Sequence, residues 1–210
     1  MDKIPVKVVD WGTVSRWTEI LSGKIRDSGY KVDVAVALAR GGLAPARLVS
    51  DMLGIRDIMS IKVEHWVDTA AHQKEAKIRY PYKADLKGKS VLIIDDICDT
   101  GESFAVSMRH VKDNFSPKSI KAAAMQYIKS TSKFTPDFYT ETVRDWTWFM
   151  YPWNYWEDMI NLTLKLETDL DSPSDVEKAF RAAYGAKPPI PIEDVIAEIE
   201  IRDLKPTNGE

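Results

Sequence analysis

The sequence predicts an α/β chain: a five-stranded, mostly parallel sheet flanked by helices, followed by a C-terminal three-helix appendage. Three observations carry the prediction. Apolar runs at 34–39 and 91–94, uninterrupted, and at 120–128, broken only by Lys121 and Gln126, have strand length and leave little polar face, as strands covered on both sides do. Segments with apolar residues at helical spacing lie between them, at 13–27 and after Ser103. From Glu157 onward the composition changes, with 6 Lys and Arg against 13 Asp and Glu, which suits solvated helical faces.

In order along the chain, a short strand at 6–9 precedes a helix at 13–27 built on Val14, Trp17, Leu21 and Ile25, with Gly29 as its stop. The strand at 34–39 runs into Arg40-Gly41-Gly42 and a helix starting near Pro45. Residues 55–66 alternate as a third strand, and the polar stretch 67–83, holding Lys74, Lys77, Arg79, Tyr80 and Tyr82, reads as a mobile loop or a solvated surface hairpin. Gly88 turns the chain into the strand at 91–94, and the next helix shows Phe104, Met108, Val111 and Phe115 on one face. Strands at 120–128 and 137–144 complete the sheet. Of the tail, 160–170 fits either period and is taken as helix. A second helix, 175–184, has a Ser174/Glu177 capping box and a Gly185 stop, and a third covers 192–203.

Composition narrows the function. With 44% hydrophobic and 29% charged residues the chain is globular, and it lacks an 18-residue apolar run. Met1-Asp2-Lys3-Ile4-Pro5 has no signal-peptide apolar region, so a cytoplasmic protein without a membrane partner is expected. No dense Lys/Arg run suggests a nucleic-acid surface, whereas the mildly basic front suits a small anionic substrate. The single cysteine, Cys98, excludes an intramolecular disulfide and reads as a small packing residue. His110 reads as structural, and His65 and His72 lack metal-ligand spacing.

The chemistry concentrates in residues 91–103. A buried strand ends on Asp95 and Asp96, where open α/β sheets bind ligands, and two adjacent carboxyls suit a sugar diol. Residues 99–103 then supply backbone N–H groups, the hydroxyls of Thr100 and Ser103, and a helix N-terminus, which suit a phosphate monoester. Diol and phosphate together describe a ribose 5-phosphate.

This run resembles the phosphoribosyl diphosphate (PRPP) motif of type I phosphoribosyltransferases: an apolar strand, two acids, two mostly apolar residues, a variable position, then threonine, glycine and a small hydroxyl residue. The resemblance implies the type I phosphoribosyltransferase fold over 1–156, with 157–210 as a C-terminal helical domain. It implies that Asp95, Asp96, Ile97, Cys98, Asp99, Thr100, Gly101, Glu102 and Ser103 take the ribose and 5-phosphate. Asp99 becomes the candidate base that removes the purine proton, its alternative being to shape the loop. Ala39, Arg40 and Gly41 fall to pyrophosphate, a role often served in that family by a cis peptide. The 67–83 stretch becomes a loop closing over the reacting centre, and Mg2+ and a homodimer are expected.

The dense aromatic run 145–156 resembles the base-binding segment of bacterial xanthine-guanine phosphoribosyltransferases. There an aromatic residue stacks on the purine, and a lysine ending the preceding strand meets its 6-oxo group. Lys129 and Trp148, nineteen positions apart, match that pattern, with Phe149 presenting backbone groups to the base edge. Asn154 departs from it, replacing an aspartate that helps bind magnesium. The resemblance therefore implies a metal held mainly through PRPP, with no direct protein ligand assigned. Asp99 and Lys129 point to a 6-oxopurine, while the whole chain resembles archaeal adenine phosphoribosyltransferases built on a 6-oxopurine frame. That resemblance sets the expectation of adenine and PRPP giving AMP and pyrophosphate. The alternatives are a 6-oxopurine enzyme and a PRPP-sensing regulator of the same fold.

Overall fold

The computed structural model describes residues 4–68, 73–79 and 83–205. In chain order the elements are β1 (Val6–Val8), α1 (Trp11–Asp27), β2 (Val34–Ala39), α2 (Leu43–Leu53), β3 (Asp57–Asp68), β4 (Gln73–Ile78) and β5 (Ser90–Cys98). They continue with α3 (Glu102–Phe115), β6 (Ser119–Ile128), β7 (Phe138–Val143), β8 (Trp148–Met150), α4 (Tyr155–Thr163), α5 (Pro173–Tyr184) and α6 (Ile192–Ile201). They fall into two compact units. One is Gly12–Trp146; the other joins the described residues up to Trp11 to those from Thr147 onward.

The larger unit holds a six-stranded sheet in the order β4-β3-β2-β5-β6-β7. The five strands from β3 to β7 in that order are parallel, and β4 alone is antiparallel. Of the expected strands, the five from 34–39 to 137–144 are thus the parallel set, the short one at 6–9 lies outside this sheet, and the sixth strand comes from within 67–83. There β3 reaches Asp68 and pairs with β4 from Val63↔Ile78 to Asp68↔Gln73, as a hairpin would. Residues 69–72 and 80–82, with His72, Tyr80 and Tyr82, lie outside the described residues. β2 and β5 are buried almost throughout because each has a parallel neighbour on either side and a helix-covered face. Val36, Ile93 and Ala124 pack with Phe104 and Val111 of α3, while Ala46 and Val49 of α2 are buried where α2 meets β2 and β5.

In the smaller unit β1 and β8 pair in parallel, Val6↔Trp148 to Val8↔Met150. Met150, Met159, Leu162, Phe180, Val195 and Ile199 form its core with α4, α5 and α6. The helix expected at 160–170 stops earlier, at Thr163. Leu164 and Leu166 are both buried, and a two-residue spacing cannot point both side chains to one face of a helix. The expected Ser174/Glu177 box is also displaced. Pro173 takes the first turn, where its missing N–H costs nothing, so Ser172 becomes the N-cap. The Ser172 hydroxyl donates to Asp175 at 2.8 Å, and Glu177 instead accepts from Arg181. Gly185 ends the helix in the left-handed region, as expected. Among the described residues no helix is long and apolar enough to cross a membrane.

Candidate active site

β5 is the central strand of the site because its parallel neighbours hold it on both sides up to the residues that carry charge. Alternation sends Asp95 and Asp96 to opposite faces. Asp96 is buried and lies against the loop after β2: a Cβ added to Gly41 would sit 2.4 Å from its Oδ2. Only glycine allows that approach. The N–H of Asp96 donates to Asp95 Oδ1 at 2.9 Å. Burial, then the neighbouring Asp96 charge, push the Asp95 carboxyl well above the usual carboxylate range, and that backbone hydrogen bond opposes the shift without cancelling it. Such a pair favours a partner that offsets two crowded negative charges, as hydroxyl donors or a hydrated cation would.

Beyond Asp96 the chain turns around a cavity of about 450 Å3 lined by Asp95 and residues 97–104. Gly101, at φ 80°, makes the turn into α3, and a Cβ there would meet Phe134 Cβ at 2.4 Å. The cavity therefore opens on the N-terminus of a 14-residue helix, whose backbone N–H groups favour an anion. Within the turn the Thr100 hydroxyl accepts from the Glu102 N–H at 3.4 Å. The Cys98 thiol is buried, contacts Ser132 Oγ at 3.3 Å, and is pushed by desolvation up to about 11. It is a packing residue, since a nucleophilic cysteine needs a stabilised thiolate.

The second loop, 39–42, joins β2 to α2. Its Ala39–Arg40 peptide bond is cis, and Arg40 is exposed. Gly42 donates to Leu38 O at 2.8 Å, and a Cβ at Gly42 would lie 2.4 Å from Ile94 O and 2.7 Å from Leu38 O. The two glycines thus have separate jobs: Gly41 makes room for Asp96, and Gly42 lets the loop lie on the backbone of β5 and β2.

The Asp99 carboxylate is held from two directions. Thr131 Oγ1 donates to Oδ1, and Trp146 Nε1 donates to Oδ2 at 3.2 Å. Lys129, exposed just past β6, is close in register because Cys98 pairs with Tyr127. The segment after it braces the loop further, through Lys133 N–H to Thr100 O at 3.0 Å and the stacked rings of Phe134 and Phe104. Sequence reasoning missed Thr131 and Trp146. Each reaches Asp99 only through the pairing of β5, β6 and β7, and neither spacing nor residue type signalled that contact.

Residues 13–156 match the family model described as "Phosphoribosyl transferase domain". The chain belongs to the phosphoribosyltransferase family. It is 32% identical over 147 residues to a xanthine-guanine phosphoribosyltransferase of Gluconobacter oxydans, covering 70% of this chain and 83% of that relative. A purine phosphoribosyltransferase from Pyrococcus horikoshii, known as a crystal structure, is similar at TM-score 0.61 and 33% identity, over 70% of this chain and 92% of the other. The Helicobacter pylori xanthine-guanine-hypoxanthine phosphoribosyltransferase is similar in fold at TM-score 0.60 and 18% identity, over 70% of this chain and 92% of the other. The fold is accordingly the type I phosphoribosyltransferase fold, and the chain is an enzyme of that class.

The two residues of this phosphoribosyltransferase for which the sequence predicts base contacts, Trp148 and Phe149, lie on β8, in the smaller unit. Trp148 is half-buried against its core, with Lys165 Nζ 5.9 Å from the ring centroid. Phe149, on the other face of the strand, stacks with Tyr151, which stacks in turn with Trp153 at 4.9 Å. Trp148 N–H donates to Pro5 O and Val9 N–H to Met150 O. Strand alternation therefore directs the N–H and C=O of Phe149 away from β1. Asn154 is the N-cap of α4, and its carbonyl accepts from the Asp158 N–H at 2.9 Å. Its side chain makes no capping hydrogen bond, and aspartate is favoured at an N-cap as strongly as asparagine, so capping does not explain the departure from aspartate.

Proposed function

We propose that this phosphoribosyltransferase serves purine salvage with a 6-oxopurine, namely guanine, xanthine or hypoxanthine, as the acceptor. The observation that carries the reading is the acid–lysine pairing at the ends of adjacent strands, Asp99 after β5 and Lys129 after β6, in a chain whose named relatives use xanthine and guanine. A lysine N–H donor suits an oxygen at C6 and would leave an amino group poorly matched. The expectation of adenine rested on whole-chain resemblance alone. It finds no support in those relatives and gives way to the 6-oxopurine.

In the proposed reaction a purine ring nitrogen forms a bond to C1 of PRPP as the bond from C1 to the pyrophosphate oxygen breaks. The bonding pair leaves with pyrophosphate, and the proton of the attacking nitrogen passes to the Asp99 carboxylate. Asp95 and Asp96 accept hydrogen bonds from the ribose hydroxyls, and residues 99–103 bind the 5-phosphate, with Ile97 and Cys98 shaping the turn. Ala39, Arg40 and Gly41 bind pyrophosphate, Arg40 as the charged clamp. By resemblance Trp148 takes the stacking role and Phe149 the base edge, while 67–83 covers the reacting centre and excludes water.

Among the described residues no cluster of three or more His, Cys, Asp or Glu forms a metal cage. The donor set nevertheless fits Mg2+, which is commonly held by one or two carboxylates together with substrate phosphates. When bound through PRPP, the ion would neutralise charge developing on pyrophosphate. Residues 157–210 as a helical domain, a homodimer and a cytoplasmic setting complete the proposal.

A base panel tests it: purified protein, PRPP and Mg2+ with guanine, xanthine, hypoxanthine or adenine, following nucleotide formation. Product with one or more oxopurines and little with adenine is expected. Product with adenine alone would overturn the assignment of Lys129, and no product with any base would favour a PRPP-sensing protein.

A further inference from the structure

We infer that Trp146 and Thr131 are positioning residues that fix the Asp99 carboxylate for proton transfer, an inference resting on the reading of Asp99 as the base. The carboxylate is gripped at both oxygens, by Thr131 Oγ1 on Oδ1 and by Trp146 Nε1 on Oδ2 at 3.2 Å. Two donors from different segments remove its freedom to rotate about the Cβ–Cγ bond. Each oxygen keeps further acceptor capacity, so the grip leaves a place for an incoming proton. The indole N–H is a donor only, which bars Trp146 from taking that proton itself.

The backbone around the contact is braced in the same sense. Lys133 N–H donates to Thr100 O at 3.0 Å, Thr131 Oγ1 lies 3.4 Å from Asp99 O, and Phe134 fills the space that Gly101 leaves without a Cβ. The segment that follows Lys129 thus carries one of the two donors on Asp99, and Trp146, after β7, carries the other. One stretch of chain connects the residue assigned to the base's 6-oxo group with the residue assigned to its proton.

The test is a double-mutant cycle on the full chain with guanine, PRPP and Mg2+. Trp146→Phe keeps the ring and removes the donor; Thr131→Val keeps the shape and removes the hydroxyl. Because a hydrogen bond to a charged acceptor is among the stronger ones, each is expected to lower kcat about tenfold, with KM for PRPP moving less than about twofold. Thr131→Ser, which restores the hydroxyl, should recover most of the loss. In an Asp99→Ala background neither substitution should lower kcat further, since both act through that carboxylate. Losses that add to that of Asp99→Ala would overturn the inference in favour of a purely structural role. Unimpaired kcat in Trp146→Phe and Thr131→Val, with Asp99→Ala still slow, would sink the positioning inference alone. Full activity of Asp99→Ala would overturn the base assignment and the inference together, as would a wild-type protein that makes no nucleotide. Thr131 is exposed, so its variants keep the test decisive if Trp146→Phe folds poorly.

Discussion

The carboxyl end of β5 and the strand β8 place their residues in opposite ways. At β5 a contiguous run, 95–103, supplies acids, turn and helix N-terminus in one piece, and its close contacts are made by residues without side chains to spare, Gly41 and Gly101. At β8 the aromatic residues are placed by partners far along the chain: β1 on one edge and the helical cluster of α4, α5 and α6 beneath. One region is specified by local turn chemistry with little tolerance for volume. The other is specified by burial.

Substitutions that break each region by its own logic sharpen the contrast. Phe180 is fully buried in the smaller unit. Phe180→Ala should lower unfolding stability by about 3–5 kcal/mol through lost burial and a cavity, measurable by denaturant titration. Gly42→Ala adds a single carbon to the site loop, yet it meets two backbone carbonyls that cannot move independently. It should cost up to about 3 kcal/mol by the same measurement, a penalty of overpacking. A cost below about 0.5 kcal/mol would mean that the loop has room to shift, and the case for local intolerance would fail.

The smallest effect, and the most specific, concerns Asp95. Its folded-state carboxyl lies above the ordinary range, so the folded chain holds a proton that the unfolded chain releases near pH 3.9 or so, about the usual aspartate value. The stability contributed is full below that unfolded value and is lost as pH rises through the raised folded value. Asp95→Asn should therefore raise Tm relative to wild type at about pH 8 and lose that advantage as pH falls toward about 4. A Tm difference independent of pH would remove charge crowding as the cause. The same variant should bind PRPP poorly, since an amide accepts less strongly from the ribose hydroxyls.

The same contrast explains what the sequence disclosed. Residues 91–103 were legible as strand, turn and helix start because those features are local, although β5 runs on to Cys98 where the sequence ended it on Asp95 and Asp96; the cis peptide and Gly41–Gly42 loop follow from the family pattern they match. The pairing of β1 with β8 was not legible, since it joins the start of the chain to residue 148 and neither strand exceeds three residues. The end of α4 was misjudged for a related reason: Leu164 and Leu166 are buried by tertiary packing that a helical period could not represent. The contacts of Thr131 and Trp146 with Asp99 arise in the same way, from loops that only the assembled sheet brings together.

The most direct test of the central claim is to measure nucleotide and pyrophosphate together from PRPP, Mg2+ and guanine. Phosphoribosyl transfer to a 6-oxopurine predicts nucleoside monophosphate and pyrophosphate in equal amounts with guanine or, in its place, with xanthine or hypoxanthine, and neither when the base is omitted. Pyrophosphate without nucleotide, or neither product with guanine, xanthine or hypoxanthine, would contradict it.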